Sequence, residues 1–175
     1  GASFQVYTMV PYHDRLLLGQ YPAGQLFGYD GQSLERIEGW PPRIEGASPS
    51  ARECQTAMVW GGELHVGVWP WGELWRLDAE TDQWRSLGRL FTHPEVHADP
   101  IHPYETQCGE LGLVSNQGGQ RVTSMVPLGD SLMISTSAKW PFEPTPAPEF
   151  MTPEQLAEYG AVWRMKTPGC VTAPI

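Results

Sequence analysis

Apolar and polar positions in this chain alternate with a period of two in short runs, and the runs are punctuated by Gly, Pro, Asp and Asn. That rhythm predicts strands joined by tight turns. The runs also repeat. Segment 16–30, LLLGQYPAGQLFGYD, aligns without a gap on segment 64–78, LHVGVWPWGELWRLD, and an interrupted third copy begins at Leu132 and resumes over 160–165. A further strand precedes each copy, and the match of Tyr7-Thr8-Met9-Val10 with Thr56-Ala57-Met58-Val59 and Thr123-Ser124-Met125-Val126 sets its expected alignment. Turns follow at His13-Asp14, Gly61-Gly62 and Gly129-Asp130. Tyr21-Pro22-Ala23-Gly24 and Trp69-Pro70-Trp71-Gly72 read as turns into a third strand, because Pro breaks a ladder and Gly supplies an unusual φ. Residues 78–83 form a polar turn into a fourth strand at Trp84–Leu87.

Four antiparallel strands per unit make a β-propeller blade, and units that cannot bury their own faces need neighbours. The expected fold is therefore all-β. It comprises three four-stranded antiparallel blades in one propeller segment over 1–175, forming half of a six-bladed propeller or a fragment of a larger one. Blades are expected at about 4–38, 53–88 and 120–175, with insertions at 39–52, 89–119 and 138–159. Segment 74–84, LWRLDAETDQW, resembles the aromatic strand, acidic turn and Trp of kelch-like β-propellers. The likeness covers the whole chain as architecture and the second blade in sequence detail. Gly67-Val68 stands where kelch repeats carry a double glycine, and Gly61-Gly62 precedes the strand instead. Propellers serve as enzymes, lectins and scaffolds, so the resemblance carries no activity with it. It does imply a partner, because three blades fall short of the roughly 4 to 8 that close a ring. That partner is either a second copy or further blades of a longer chain.

Composition agrees with a turn-rich, aromatic-rich β chain: 19 Gly, 17 Pro and 8 Trp, with 18% charged residues. No apolar run reaches the roughly 18 residues of a membrane span, so no membrane partner is expected. A net charge of -9, with 11 scattered basic residues, argues against a nucleic-acid partner. Three cysteines exclude a disulfide framework. They are expected as small buried thiols, with Cys54–Cys108 the one bridge compatible with their places in the repeat.

The strand path places the three insertions and the turns after the second strands on one face, and the tight turns on the other. Long loops on a rigid scaffold are where function is found, so the insertion face is the expected site. It carries Tyr21, Trp69, Trp71 and Trp140 near the ends of second strands. Arg52, Glu53 and Gln55 enter with the second first-strand, and Asn116, Gln117, Gln120 and Arg121 with the third. Flat aromatics beside amides and charges suit a sugar, whose ring stacks while its hydroxyls pair. Trp71 stands out because its counterpart is Ala23, so the repeat does not demand it. Phe27, Trp75, Trp84 and Trp163 are expected as packing between blades, and His65 as a structural histidine.

His93, His97 and His102 form the one metal-like constellation, in a loop with Glu95 and Asp99. Pro94, Pro100 and Pro103 deny it the helical spacing of a zinc motif, which leaves capping of loop groups as the simpler role. No other cofactor is implied. No nucleophile elbow, phosphate loop or paired-Cys motif occurs. Glu53, Glu105, Glu110 and Asp99 are the candidate acids, with Arg52 or Arg121 beside them. Three functions therefore compete: a ligand-binding propeller with a small-molecule or sugar ligand, a hydrolase or lyase using the His/Glu loop with or without a divalent metal, and a protein-interaction scaffold. Thr152 to Glu158 reads as a short capped helix.

Overall fold

The computed structural model describes residues 5–112, 118–138, 149–167 and 170–174. Trp140, Asn116 and Gln117 lie outside them. The chain is all-β, built from three four-stranded antiparallel sheets, each a simple meander in sequence order. The first sheet holds β1 (Gln5–Tyr12), β2 (Arg15–Tyr21), β3 (Leu26–Tyr29) and β4 (Leu34–Arg36). The second holds β5 (Glu53–Trp60), β6 (Glu63–Trp69), β7 (Glu73–Asp78) and β8 (Gln83–Arg89), and is followed by helix α1 (Pro103–Glu110). The third holds β9 (Arg121–Leu128) and β10 (Ser131–Ser137), then α2 (Pro153–Ala157) and the strands β11 (Val162–Thr167) and β12 (Cys170–Pro174). The first strands of successive sheets are neighbours, β1 with β5 and β5 with β9.

Each sheet buries one side against the next. Val10, Leu17 and Leu26 of the first sheet pack on Cys54, Leu64, Val66, Val68 and Trp75 of the second. Leu74, on the other side of the second sheet, packs with Val122, Met125, Leu132, Ile134 and Met165 of the third. Two equivalent glycines permit the close approach. A Cβ on Gly19 would sit 2.7 Å from Cys54 Sγ, and one on Gly67 would sit 2.5 Å from Val122 Cβ. Neither sheet can come so near with a side chain there.

Two expectations need correction. Thr8 lies opposite Gly19, Thr56 opposite Gly67 and Ser124 opposite Ser135. Tyr7 and Thr123 are level as expected, but their counterpart on β5 is Gln55 and not Thr56, so the second first-strand aligns one residue away from the expected match. A bulge interrupts each of these pairings near the start of the strand, and a one-residue slip moves every following side chain to the other face. The Cys54–Cys108 bridge does not form. Both are free buried thiols, Cys54 beneath Gly19 and Cys108 on α1, and burial pushes the Cys54 thiol up to about 12 and the Cys108 thiol up to about 11. Helix α2 carries the expected capping box, with Gln155 N donating to Thr152 Oγ1 and Thr152 N donating to Gln155 Oε1.

Candidate functional site

The corrected alignment makes Glu53 and Arg121 equivalent, since Glu53 pairs with Trp69 and Arg121 with Ser137 at the starts of their strands. Side chains from all three first strands gather here. Gln55 Nε2 donates to Glu53 Oε2 at 2.9 Å. The Arg121 guanidinium lies 5.8 Å from the Trp69 ring centre, and Arg121 Nη1 donates to Gly119 O at 3.2 Å. Tyr7 and Tyr21 stack with ring centres 5.1 Å apart. Burial, then the Glu53 charge, raises the Tyr7 pKa, which keeps its hydroxyl a donor.

Glu105 reaches the same place from α1. Its carboxyl is pushed up to about 7, by burial first, against the pull of Arg121 and with a push from Glu53. Gly119 is what lets these groups meet, because a Cβ there would collide with Trp69 Nε1 and lie 2.9 Å from Glu105 Oε1. Among the described residues the buried Trp69 Nε1 and Glu105 Oε1 have no hydrogen-bond partner.

Other expected site residues do structural work instead. Arg52, expected on the ligand face, is buried and donates to Pro42 O and, at 2.5 Å, to Glu73 Oε2, which also accepts from Trp75 Nε1. Burial raises the Glu73 carboxyl against the pull of the Arg52 charge. Trp71, expected at an open rim, is 2% exposed. His102 covers its ring at 4.4 Å between centres, His97 at 5.6 Å, and the Arg89 guanidinium lies 5.1 Å away. The reason is the first part of the insertion, whose residues 93–102 fold back over the turn. Arg89 pins it by donating to the carbonyls of Trp71, His93 and Pro94 and to Gln120 Oε1. Gln120 is fully buried, and its amide donates to His93 O.

The three histidines each take hydrogen-bond partners of their own. His93 Nδ1 bonds the Tyr104 hydroxyl at 2.6 Å while Nε2 lies 3.0 Å from Gln155 O. His97 Nδ1 accepts from Asp99 N. His102 caps α1, its Nδ1 accepting from Tyr104 N at 3.2 Å. Among the described residues no group of three or more His, Cys, Asp or Glu is placed to hold a metal ion. The prolines forbade a helix through this loop but not after it, since Pro103 occupies the first turn of α1, where its missing N–H costs nothing. His65 is fully buried beside Trp60, with Nδ1 3.2 Å from Glu63 O.

Among the described residues, hollows lie elsewhere, and two of them are sizeable. One, of about 320 Å³, opens on the tight-turn face between Tyr12, Arg15, Leu17, Leu64, Leu77 and Trp84. The other, of about 530 Å³, is an open depression by His97, Ile101 and Pro103. The first is a seam over the shared core of two sheets. The second is formed by the insertion alone. The first-strand cluster differs from both in drawing donors, acceptors and aromatic faces from all three sheets.

The buried imidazoles predict acid sensitivity. Burial lowers His65 to about 4 and His102 to about 3 from an ordinary 6.5. Each binds its proton later in the folded than in the unfolded chain, so stability falls as pH drops below 6.5, by about 1.4 kcal/mol per pH unit per group at most. Glu105 opposes them, since its raised pKa means stability is lost as pH rises from 4.5 to about 7. His102→Asn keeps a cap without a titrating ring. Melting curves should show a smaller loss between neutral and acid pH for this variant than for the parent, and equal losses would mean that His102 contributes nothing.

No protein family model matches the chain, and neither a curated protein nor a solved structure does. Function therefore rests on the chemistry of the cluster.

Proposed function

We propose that this chain is a segment of a kelch-like β-propeller that binds a saccharide at the first-strand cluster. One observation carries the reading: the starts of β1, β5 and β9 bring Tyr7, Glu53, Gln55 and Arg121 together beside the rings of Tyr21 and Trp69. The meander order of each sheet, with first strands adjacent, supports a radial arrangement in which those strands are innermost. A polyhydroxylated ring asks for a flat apolar face and for paired donors and acceptors around it. The partly exposed Tyr21 ring supplies the first, and the exposed Tyr7 phenol and the Gln55 amide supply the second, backed by the buried Glu53, Trp69 and Arg121. Of the residues expected on this face, Tyr21, Glu53, Trp69 and Arg121 remain in the ligand set, while Arg52, Trp71 and Gln120 do not.

A panel of mono- and disaccharides read by thermal shift tests this directly. At least one sugar should raise the melting temperature of the parent chain. Tyr7→Ala and Gln55→Ala should abolish that shift and leave the unliganded melt nearly unchanged, because both side chains are partly exposed. Glu80→Ala, in the tight turn before β8, is the control. Shifts that survive in both cluster variants would refute the assignment.

Glu105 favours a second reading, a hydrolase or lyase. A carboxyl poised near neutrality beside a second carboxyl and an arginine is the equipment of a general acid. On that reading a bound glycoside is cleaved with an activity that Glu105→Gln removes while binding persists.

A further inference from the structure

Among the described residues the two end sheets each leave one side uncovered, and the repeat says what belongs there. On the first sheet, Met9 pairs with Leu18 and Leu18 with Phe27, while Leu16 pairs with Pro11 and Tyr29. These side chains lie opposite the buried Val10, Leu17 and Leu26, and Met9 is 64% exposed. On the third sheet, Met133 pairs with Val126 and Arg164, and Ser135 pairs with Val162. They lie opposite the buried Leu132, Ile134 and Met165, and Val126 is 55% exposed.

The alignment of 16–30 on 64–78 makes Leu16, Leu18, Phe27 and Tyr29 equivalent to Leu64, Val66, Trp75 and Leu77. Those four are the side of the second sheet that the first sheet covers. Met133, Ser135 and Val162 are in turn equivalent to Leu17, Gly19 and Leu26, with which the first sheet covers it. The chain thus exposes one face of each kind and already joins the two kinds in its interior. Ser135 stands at the place of Gly19 and Gly67, where small residues let the next first strand approach.

We infer that the outer face of the first sheet is a docking surface for a second copy of this chain, which lays the outer face of its third sheet on it. The same contact made twice, around a two-fold axis, closes a ring of six sheets with no uncovered face. A closed pair also gives the saccharide site its missing wall, since the first-strand cluster of each copy would face that of the other across the ring. The inference rests on the propeller reading above but not on the ligand, so a dimer that binds no sugar would sink only the ligand.

Sedimentation of the full chain at micromolar concentration is the test. The expected species has twice the 19.5 kDa chain mass. Met9→Lys and Val126→Lys should each give a monomer that keeps its circular dichroism and a cooperative melt, because both side chains are solvent-exposed within one copy. Met9→Lys mixed with Val126→Glu should restore a dimer, because the joined pair then has one unmodified contact and one of opposite charges. A stable monomeric parent would overturn the proposal and leave these faces to other blades of a longer chain. A dimer broken by Met9→Lys but not by Val126→Lys would overturn it in favour of first sheet against first sheet. A dimer indifferent to both substitutions would overturn it too.

Discussion

Arg52→Met should lower the stability of this protein by about 3 to 5 kcal/mol, because it strands the Glu73 carboxylate in a fully buried position with one of its oxygens already unpartnered. Glu73→Leu should cost as much, since it leaves the buried guanidinium and Trp75 Nε1 without their shared acceptor. The double variant should recover much of the loss, because replacing a buried pair as a whole removes the desolvation that the pair had to overcome. In a chain of 175 residues each kcal/mol moves the melting temperature by about 2 to 4 °C, so the single variants fall within easy reach of calorimetry. Additive losses in the double variant would show that the two side chains act independently.

Trp71→Ala is the second large effect, at about 3 to 5 kcal/mol. Its ring is enclosed by His102, His97 and Arg89, so truncation opens a cavity and loosens the insertion that Arg89 holds. Trp75→Ala should cost a similar amount, as its ring lies in the core between the first two sheets. Denaturant midpoints for the two variants decide the matter. A Trp71→Ala protein as stable as its parent would show that the insertion does not rest on this ring.

These two effects also mark how far the sequence alone could be followed. Strand content, the three meanders, the capping box of α2 and the structural His65 all follow from local signals: alternation, turn residues and a cap three residues from its partner. Where the signal was not local, reading failed. The ring of Trp71 looked dispensable because its counterpart is Ala23, but that comparison is blind to an insertion present in only one repeat. Arg52 looked available because its ion-pair partner Glu73 lies on another strand, across a turn. The slip on β5 came from matching Met58 to Met9 and Met125: those two are level with each other, but Met58 is level with Val10 and Val126 because Thr8, Thr56 and Ser124 share one register. A shared Met outweighed a one-residue offset that nothing else in the sequence marks. Glu105 was named as an acid, yet nothing nearby in sequence tied it to Glu53 or Arg121. Gly119 was the available clue, as a glycine leading into a first strand where side chains from a helix and a strand had to meet.

Hydrogen exchange read by mass spectrometry, with and without a saturating saccharide, tests the central claim most directly. Bound sugar should slow exchange at the starts of β1, β5 and β9, around Tyr7, Glu53 to Gln55 and Arg121, and leave the tight turns at His13-Asp14, Gly61-Gly62 and Gly129-Asp130 unchanged. Protection confined to those turns or to the cleft between Tyr12 and Trp84, or no protection by any sugar, would contradict it.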